Sequence, residues 1–140
     1  MAKVMEKAQA ISEVSSFVRA LKRVWVEGAF EEKEEAIKQV ATYMAEGYVE
    51  IDGNSIKYKL TEPIRATSGE GNMLEELTFN RINANQFNVE QKKLSASKAQ
   101  HVSYLTDLII HLSTGEPIPV LEHLPMEDKS VCALIGSFFL

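Results

Sequence analysis

A single cysteine, Cys132, in 140 residues leaves no intramolecular disulfide to form and no Cys-rich zinc site to build. Long apolar runs are also missing, since none approaches the ~20 residues that a membrane span requires. At the N-terminus the charges of Met1 to Lys7 have no continuous apolar stretch behind them, so no signal peptide is expected. Basic residues are the minority, 15 Lys and Arg against 20 Asp and Glu, giving a net charge of -5 and a pI of about 5.3. That balance argues against electrostatic capture of nucleic acid or anionic lipid as the main activity, though it leaves room for a local basic patch. What is present is an ordinary apolar share, 45% of residues, with 25% charged. Such a chain can fill a real core in one domain, or a modest core with a small helical attachment, and global disorder is not expected. Composition points to an acidic globular protein of the cytosol and by itself gives no function.

Hydrophobic spacing supplies the outline. Ile11, Val14, Phe17, Val18, Leu21, Val24 and Trp25 recur at three- and four-residue steps, which predicts a helix over 8–27 stopped by Gly28. A second helix is predicted from Phe30 to Glu46, with Glu31, Glu32, Glu34 and Glu35 in its first turns and Ile37, Val40, Ala41 and Met44 as its stripe; Gly47 ends it. The short gap between them reads as an antiparallel helical hairpin. The period then falls to two. Tyr48 to Ile51, a turn at Asp52-Gly53-Asn54, and Ser55 to Leu60 make a β-hairpin signature, with Ile56, Tyr58 and Leu60 opposite Lys57 and Lys59. Pro63 is expected to limit further pairing. After a glycine-bearing turn over 66–73, Leu74 to Ile82 reads as a further strand with Leu77, Phe79 and Arg81 on one face. The stretch from Asn83 to Ser95 is ambiguous between loop and short helix. A capping box at Ser97 to Gln100 opens a helix with Val102, Leu105, Leu108, Ile109 and Leu112 as its stripe, closing near Gly115. Pro117 and Pro119 break the chain. A last helix begins near Pro125, places Glu127 and Asp128 at its positive end, and carries Val131, Leu134, Ile135 and Phe138 nearly to Leu140. The fold class expected is α+β: an N-terminal helical hairpin (1–47) followed by a unit (48–140) of a small antiparallel β-sheet and two C-terminal helices.

Few residues suggest chemistry. Asp107 and His111 lie four apart on one predicted helix and could meet, but a catalytic metal needs a further ligand, and His101 and His123 are poorly placed to supply it. An ordinary surface pair is the expected reading. Cys132 lies among Val131, Ala133 and Leu134, as a buried structural thiol would. Ser68 to Asn72 is glycine-rich but lacks the Lys-Ser/Thr end of a phosphate loop. Glu75-Glu76 and Glu127-Asp128 are sequence neighbours that point apart or serve a helix end, not acid/base pairs. Arg19, Lys22, Arg23, Lys92 and Lys93 have no aromatic residues interleaved as a stacking platform would require, so they read as solvated surface. Neither an enzyme nor a cofactor is expected. The apolar stripe of Phe17, Leu21, Val24 and Trp25, and the ending Phe138-Phe139-Leu140, either pack into the fold or serve self-association or an apolar client.

The order of short motifs over 55–140 resembles the Mu-like group of tail assembly chaperones from long-tailed bacteriophages. The matching positions are Leu60, Pro63 and Ile64; Leu77, Thr78, Phe79 and Arg81; Leu112, Thr114 and Gly115; and Leu124 and Asp128. The segment after Arg81 departs from the proline-bearing turn usual there, and the hairpin of 8–46 is additional. The resemblance implies a non-enzymatic protein of the host cytoplasm that binds the aggregation-prone tape measure protein, promotes tail tube assembly and is absent from the mature virion. It also implies, as further partners, a frameshifted longer form of the chain and a homo-oligomer, with no role for nucleic acid or membrane. On this reading Phe17, Leu21, Val24 and Trp25 form the client surface, with Phe138 and Phe139 as second choice. The alternative is a small oligomeric adaptor or structural tail component retained in the virion.

Overall fold

Ala10, Val14 and Val18 follow one another at four-residue steps, and none exposes any surface to solvent. They form the inner stripe of α1 (Lys7–Ala20). The computed structural model describes residues 4–66, 73–82 and 102–139, with side chains of 102–105 excepted. The helix predicted to continue to residue 27 stops at Ala20, and the chain reaches α2 (Glu34–Ala45) through an irregular segment and a single 3-10 turn, Glu31–Lys33. The apolar spacing of Val24 and Trp25 misled because β-branched Val24 and Val26 weaken a helix there, while side chains from elsewhere satisfy the carbonyls left at its end. Gly28, expected as the helix stop, has φ 84° in that connecting segment. Val4 N–H donates to Ala45 O at 2.8 Å, so the start of α1 meets the end of α2 and the pair is antiparallel.

α2 buries Ile37, Val40, Ala41, Met44 and Ala45. Gly47 closes it at φ 90°, with Gly47 N–H bonded to Met44 O at 3.0 Å and Tyr48 N–H to Tyr43 O at 2.9 Å. That double bond needs a left-handed residue, which glycine supplies without strain. The chain then enters β1 (Val49–Asp52), turns at Gly53-Asn54, and returns as β2 (Ser55–Arg65) with Asp52 opposite Ser55. β3 (Met73–Phe79) pairs antiparallel on the far side of β2, so the sheet order is β1-β2-β3. Ile56, Tyr58, Leu77 and Phe79 lie opposite one another across β2 and β3 and are buried, as the alternation predicted. Pro63 does not end the pairing. Five residue steps of β2 from Lys59 to Ile64 oppose only two of β3, so the proline lies in an outward excursion and the ladder resumes at Ile64 and Arg65.

α3 (Val102–Thr114), the short α4 (Ile118–Leu121) and α5 (Met126–Ser137) complete the described chain. Pro119 sits in the first turn of α4, where a missing N–H costs nothing, so the two prolines start a helix as well as interrupt one. On α3 the buried residues are Asp107, Leu108, Ile110 and Ser113, while Ile109 and Leu112 are half-buried. The predicted stripe is rotated because an ion pair with Lys129 allows Asp107 inside; Val102 and Leu105 lie outside the described side chains. The expected capping box at 97–100, residues 67–72 of the turn expected over 66–73, the ambiguous stretch 83–95 and Leu140 also lie outside the described residues, while Met73 already belongs to β3. α5 ends at Ser137 with Phe138 as its cap.

The protein is therefore α+β, a helical hairpin and C-terminal helices on one antiparallel sheet. One hydrophobic cluster runs from Ala10 through Val40, Tyr58 and Phe79 to Ile135 and Phe138, so the hairpin and the segment after residue 47 share a core. Among the described residues no helix is long and apolar enough to cross a membrane.

Candidate functional site

The end of α1 is where distant segments converge. Trp25 Nε1–H donates to Arg19 O at 2.9 Å, and the Arg81 guanidinium, two residues beyond β3, donates to Leu21 O. Both occupy carbonyls that a helix end leaves without partners. Phe17, on α1, meets Phe139, just past α5, with ring centroids 6.0 Å apart and planes at 75°. Two depressions result, of about 550 and 220 Å³, which share Leu21 and Arg81 as lining. The larger is bounded by Phe17 and Leu21, by Ile51, Gly53 and Asn54 of the β1–β2 hairpin, and at its far end by Ser12 and Glu13. The smaller continues past Lys22 and Ile82 to Phe138 and Phe139.

The structure thus brings Phe17, Leu21 and Phe139 to one groove, although the sequence places Phe139 more than a hundred residues from the other two. Phe138 is different, being only 1% exposed and part of the core beneath. Val24 and Trp25 do not extend the α1 stripe. Val24 stands 80% exposed in the connecting segment, as does Val26 at 78%. Trp25 is half-buried and packs edge-on to Phe30 at 5.3 Å. Arg19 lies over the Phe30 ring at 3.9 Å and Lys22 over the Trp25 ring at 4.8 Å, so aromatics do interleave with these cations. Lys33 Nζ donates to Ser137 O at 2.9 Å, which fastens the end of α5 to the start of α2. Burial first, and then Lys22 nearby, hold the Lys33 pKa below its usual value against an opposing pull from Glu32.

Polar groups in the interior hold elements together. Asp128, with no exposed surface, accepts from Tyr58 OH at 2.6 Å, from Thr61 N–H at 3.1 and 3.2 Å, and from Thr61 Oγ1 at 2.8 Å. The excursion of β2 around Pro63 is what presents Thr61 to it. Asp107 does not meet His111. Its Oδ1 lies 2.9 Å from Lys129 Nζ, while His111 Nδ1 lies 2.7 Å from Glu116 O. Among the described residues no three His, Cys, Asp or Glu side chains are grouped to hold a metal. Burial, reinforced by Asp128, pushes the Cys132 thiol well above its usual pKa, which leaves it unreactive.

Sequence reasoning named Arg81 and Asp128 as motif positions and gave neither a part in the site or the core. Arg81 continues the Leu77–Phe79 alternation past the strand end, but its side chain is exposed and lines the groove. Asp128 stood out only as a motif position in a helix's first turn, because its donors come from a bulge that no local pattern announces. No family model, curated protein or solved structure matches the chain.

Proposed function

We propose that this chain is a non-enzymatic client-binding protein of phage tail assembly, a chaperone that holds the tape measure protein soluble while the tail tube forms and leaves before the particle is complete. The observation that carries the reading is the convergence of Phe17, Leu21 and Phe139 on one open groove. Apolar side chains presented this way suit a partner's apolar residues, and they lie on a frame whose buried polar groups are engaged in holding the fold. The ordered motifs from Leu60 to Asp128 supply the family part of the proposal; the groove supplies only the mode of action.

Co-expression with a tape measure protein tests it. The native chain is expected to keep the client in the soluble fraction and to co-purify with it. Leu21→Ala combined with Phe139→Ala is expected to lower soluble client several-fold, with the variant itself remaining folded by circular dichroism. Unchanged client solubility would remove the groove from the mechanism. Mass spectrometry of purified particles supplies the second arm: a stoichiometric amount of the chain in the virion would make it a structural tail component instead.

A further inference from the structure

The surface around the end of α1 runs against the charge of the rest of the protein. The chain is acidic at -5, yet two cations, Lys22 and Arg81, line the groove there, and no ion pair to a described carboxylate holds either of them. Three other described cations do have such partners, in Lys38–Glu34, Lys57–Asp52 and Lys129–Asp107. The two groove cations border the apolar groove on one side only. Lys22 and Arg81 line the end that leads to Phe139, whereas Ser12 and Glu13 line the other. A site with an apolar floor and a cationic end has a complementary ligand with bulky apolar side chains and carboxylates at one end.

We infer that the groove between α1, the β1–β2 turn and Phe139 docks an acidic, amphipathic segment of a partner protein, its apolar side chains on Phe17 and Leu21 and its carboxylates on Lys22 and Arg81. This names the chemistry of the partner and rests on the reading that the groove binds a client. Nucleic acid is the competing polyanion, and the ring geometry disfavours it. The Phe30 and Trp25 faces are covered by Arg19 and Lys22, and Phe17 meets Phe139 edge-on, so these rings offer bases no open stacking platform.

The test uses the full chain, isotope-labelled for NMR, and three synthetic peptides of about five helical turns, ~18 residues. All share the same leucine and phenylalanine positions and differ in bearing Glu, Gln or Lys elsewhere; a single-stranded oligonucleotide is the fourth probe. The Glu peptide is expected to bind, to shift the amides of Phe17, Leu21, Arg81 and Phe139, and to weaken as salt is raised. Lys22→Glu is expected to weaken it about fivefold or more, while Lys59→Glu on the opposite sheet face leaves it unchanged. Equal binding of all three peptides, no binding of the Glu peptide, preference for the oligonucleotide, or indifference to the charge reversal would each overturn the inference. The two proposals fail separately. Binding of the Glu peptide with no effect on tape measure solubility would remove the proposed function alone, and a client held soluble through a charge-indifferent groove would remove only this inference.

Discussion

A carboxylate with no surface open to water must find its donors inside the protein, and Asp128 finds them on one strand. Tyr58 OH, Thr61 N–H and Thr61 Oγ1 all point at it, and its place in the first turn of α5 adds the favourable end of that helix's dipole. Asp128→Asn keeps the shape but turns an amide toward donors, so a loss of about 2–4 kcal/mol is expected in urea unfolding. A loss below measurement error would show that the network contributes nothing net. Tyr58 offers a sharper test through pH. Burial, and then the bond to Asp128, raise its pKa above the ordinary 10.0, so the native state keeps a proton that the unfolded state gives up. Where the native state binds more protons, stability falls as pH rises. The bond's contribution is therefore complete well below 10.0 and declines as pH climbs past it. Tyr58→Phe is expected to cost about 1.5–3 kcal/mol at neutral pH, and its deficit relative to the native protein is expected to shrink in alkaline solution. A deficit that stays constant across pH 10.0 would contradict this account.

Between elements, α3 and α5 approach closely at Gly136. A Cβ built on Gly136 would stand 2.8 Å from Ile109 Cγ2, a methyl on a branched carbon that cannot swing aside freely. In an open helix, glycine to alanine gains about 1 kcal/mol. Here Gly136→Ala is expected to lose about 1–3 kcal/mol by forcing the helices apart. Made in an Ile109→Ala background, the same change should cost little or become favourable, and a double-mutant cycle reads the coupling directly. Equal costs in both backgrounds would refute the contact. This scale also shows what the sequence could reveal. The α2 stripe, the β1–β2 hairpin at Gly53-Asn54 and the alternation through Leu77 and Phe79 were legible because each depends on neighbours within a few residues. The end of α1 was not, because the donors to Arg19 O and Leu21 O come from Trp25 and Arg81, the second some sixty positions away. The α3 stripe was rotated for the same reason, since Lys129 on another helix lets Asp107 turn inward. The candidate groove lay half in view: Phe17, Leu21 and Phe139 stood out as apolar, but only the fold put them together.

Across the whole molecule, the question is whether the helical hairpin is an attachment or a structural part. Sequence order made residues 1–47 look like an addition, yet Ala10, Val14, Val18, Ile37, Val40 and Met44 lie in the same buried cluster as Tyr58, Phe79 and Ile135. Polar contacts cross the same boundary, with Tyr43 OH donating to Glu127 at 3.0 Å and Lys33 to Ser137 O. Without the hairpin, the sheet face bearing Tyr58 would lose much of its cover, and a fragment that small has little other core to compensate. Residues 48–140 alone are expected to aggregate or to show helical circular dichroism without a cooperative melt. In the intact chain the two parts should unfold together. Trp25, the sole tryptophan, reports on the hairpin by fluorescence, and amide exchange at Ile56 and Leu77 reports on the sheet. One shared urea midpoint, and sheet amides that exchange only through the global transition, follow from a single core. An earlier transition at Trp25, with the sheet still protected, would restore the hairpin to the status of an attachment. It would also loosen the link between the groove and the fold, because Phe17 and Leu21 could then leave Phe139 without unfolding the rest.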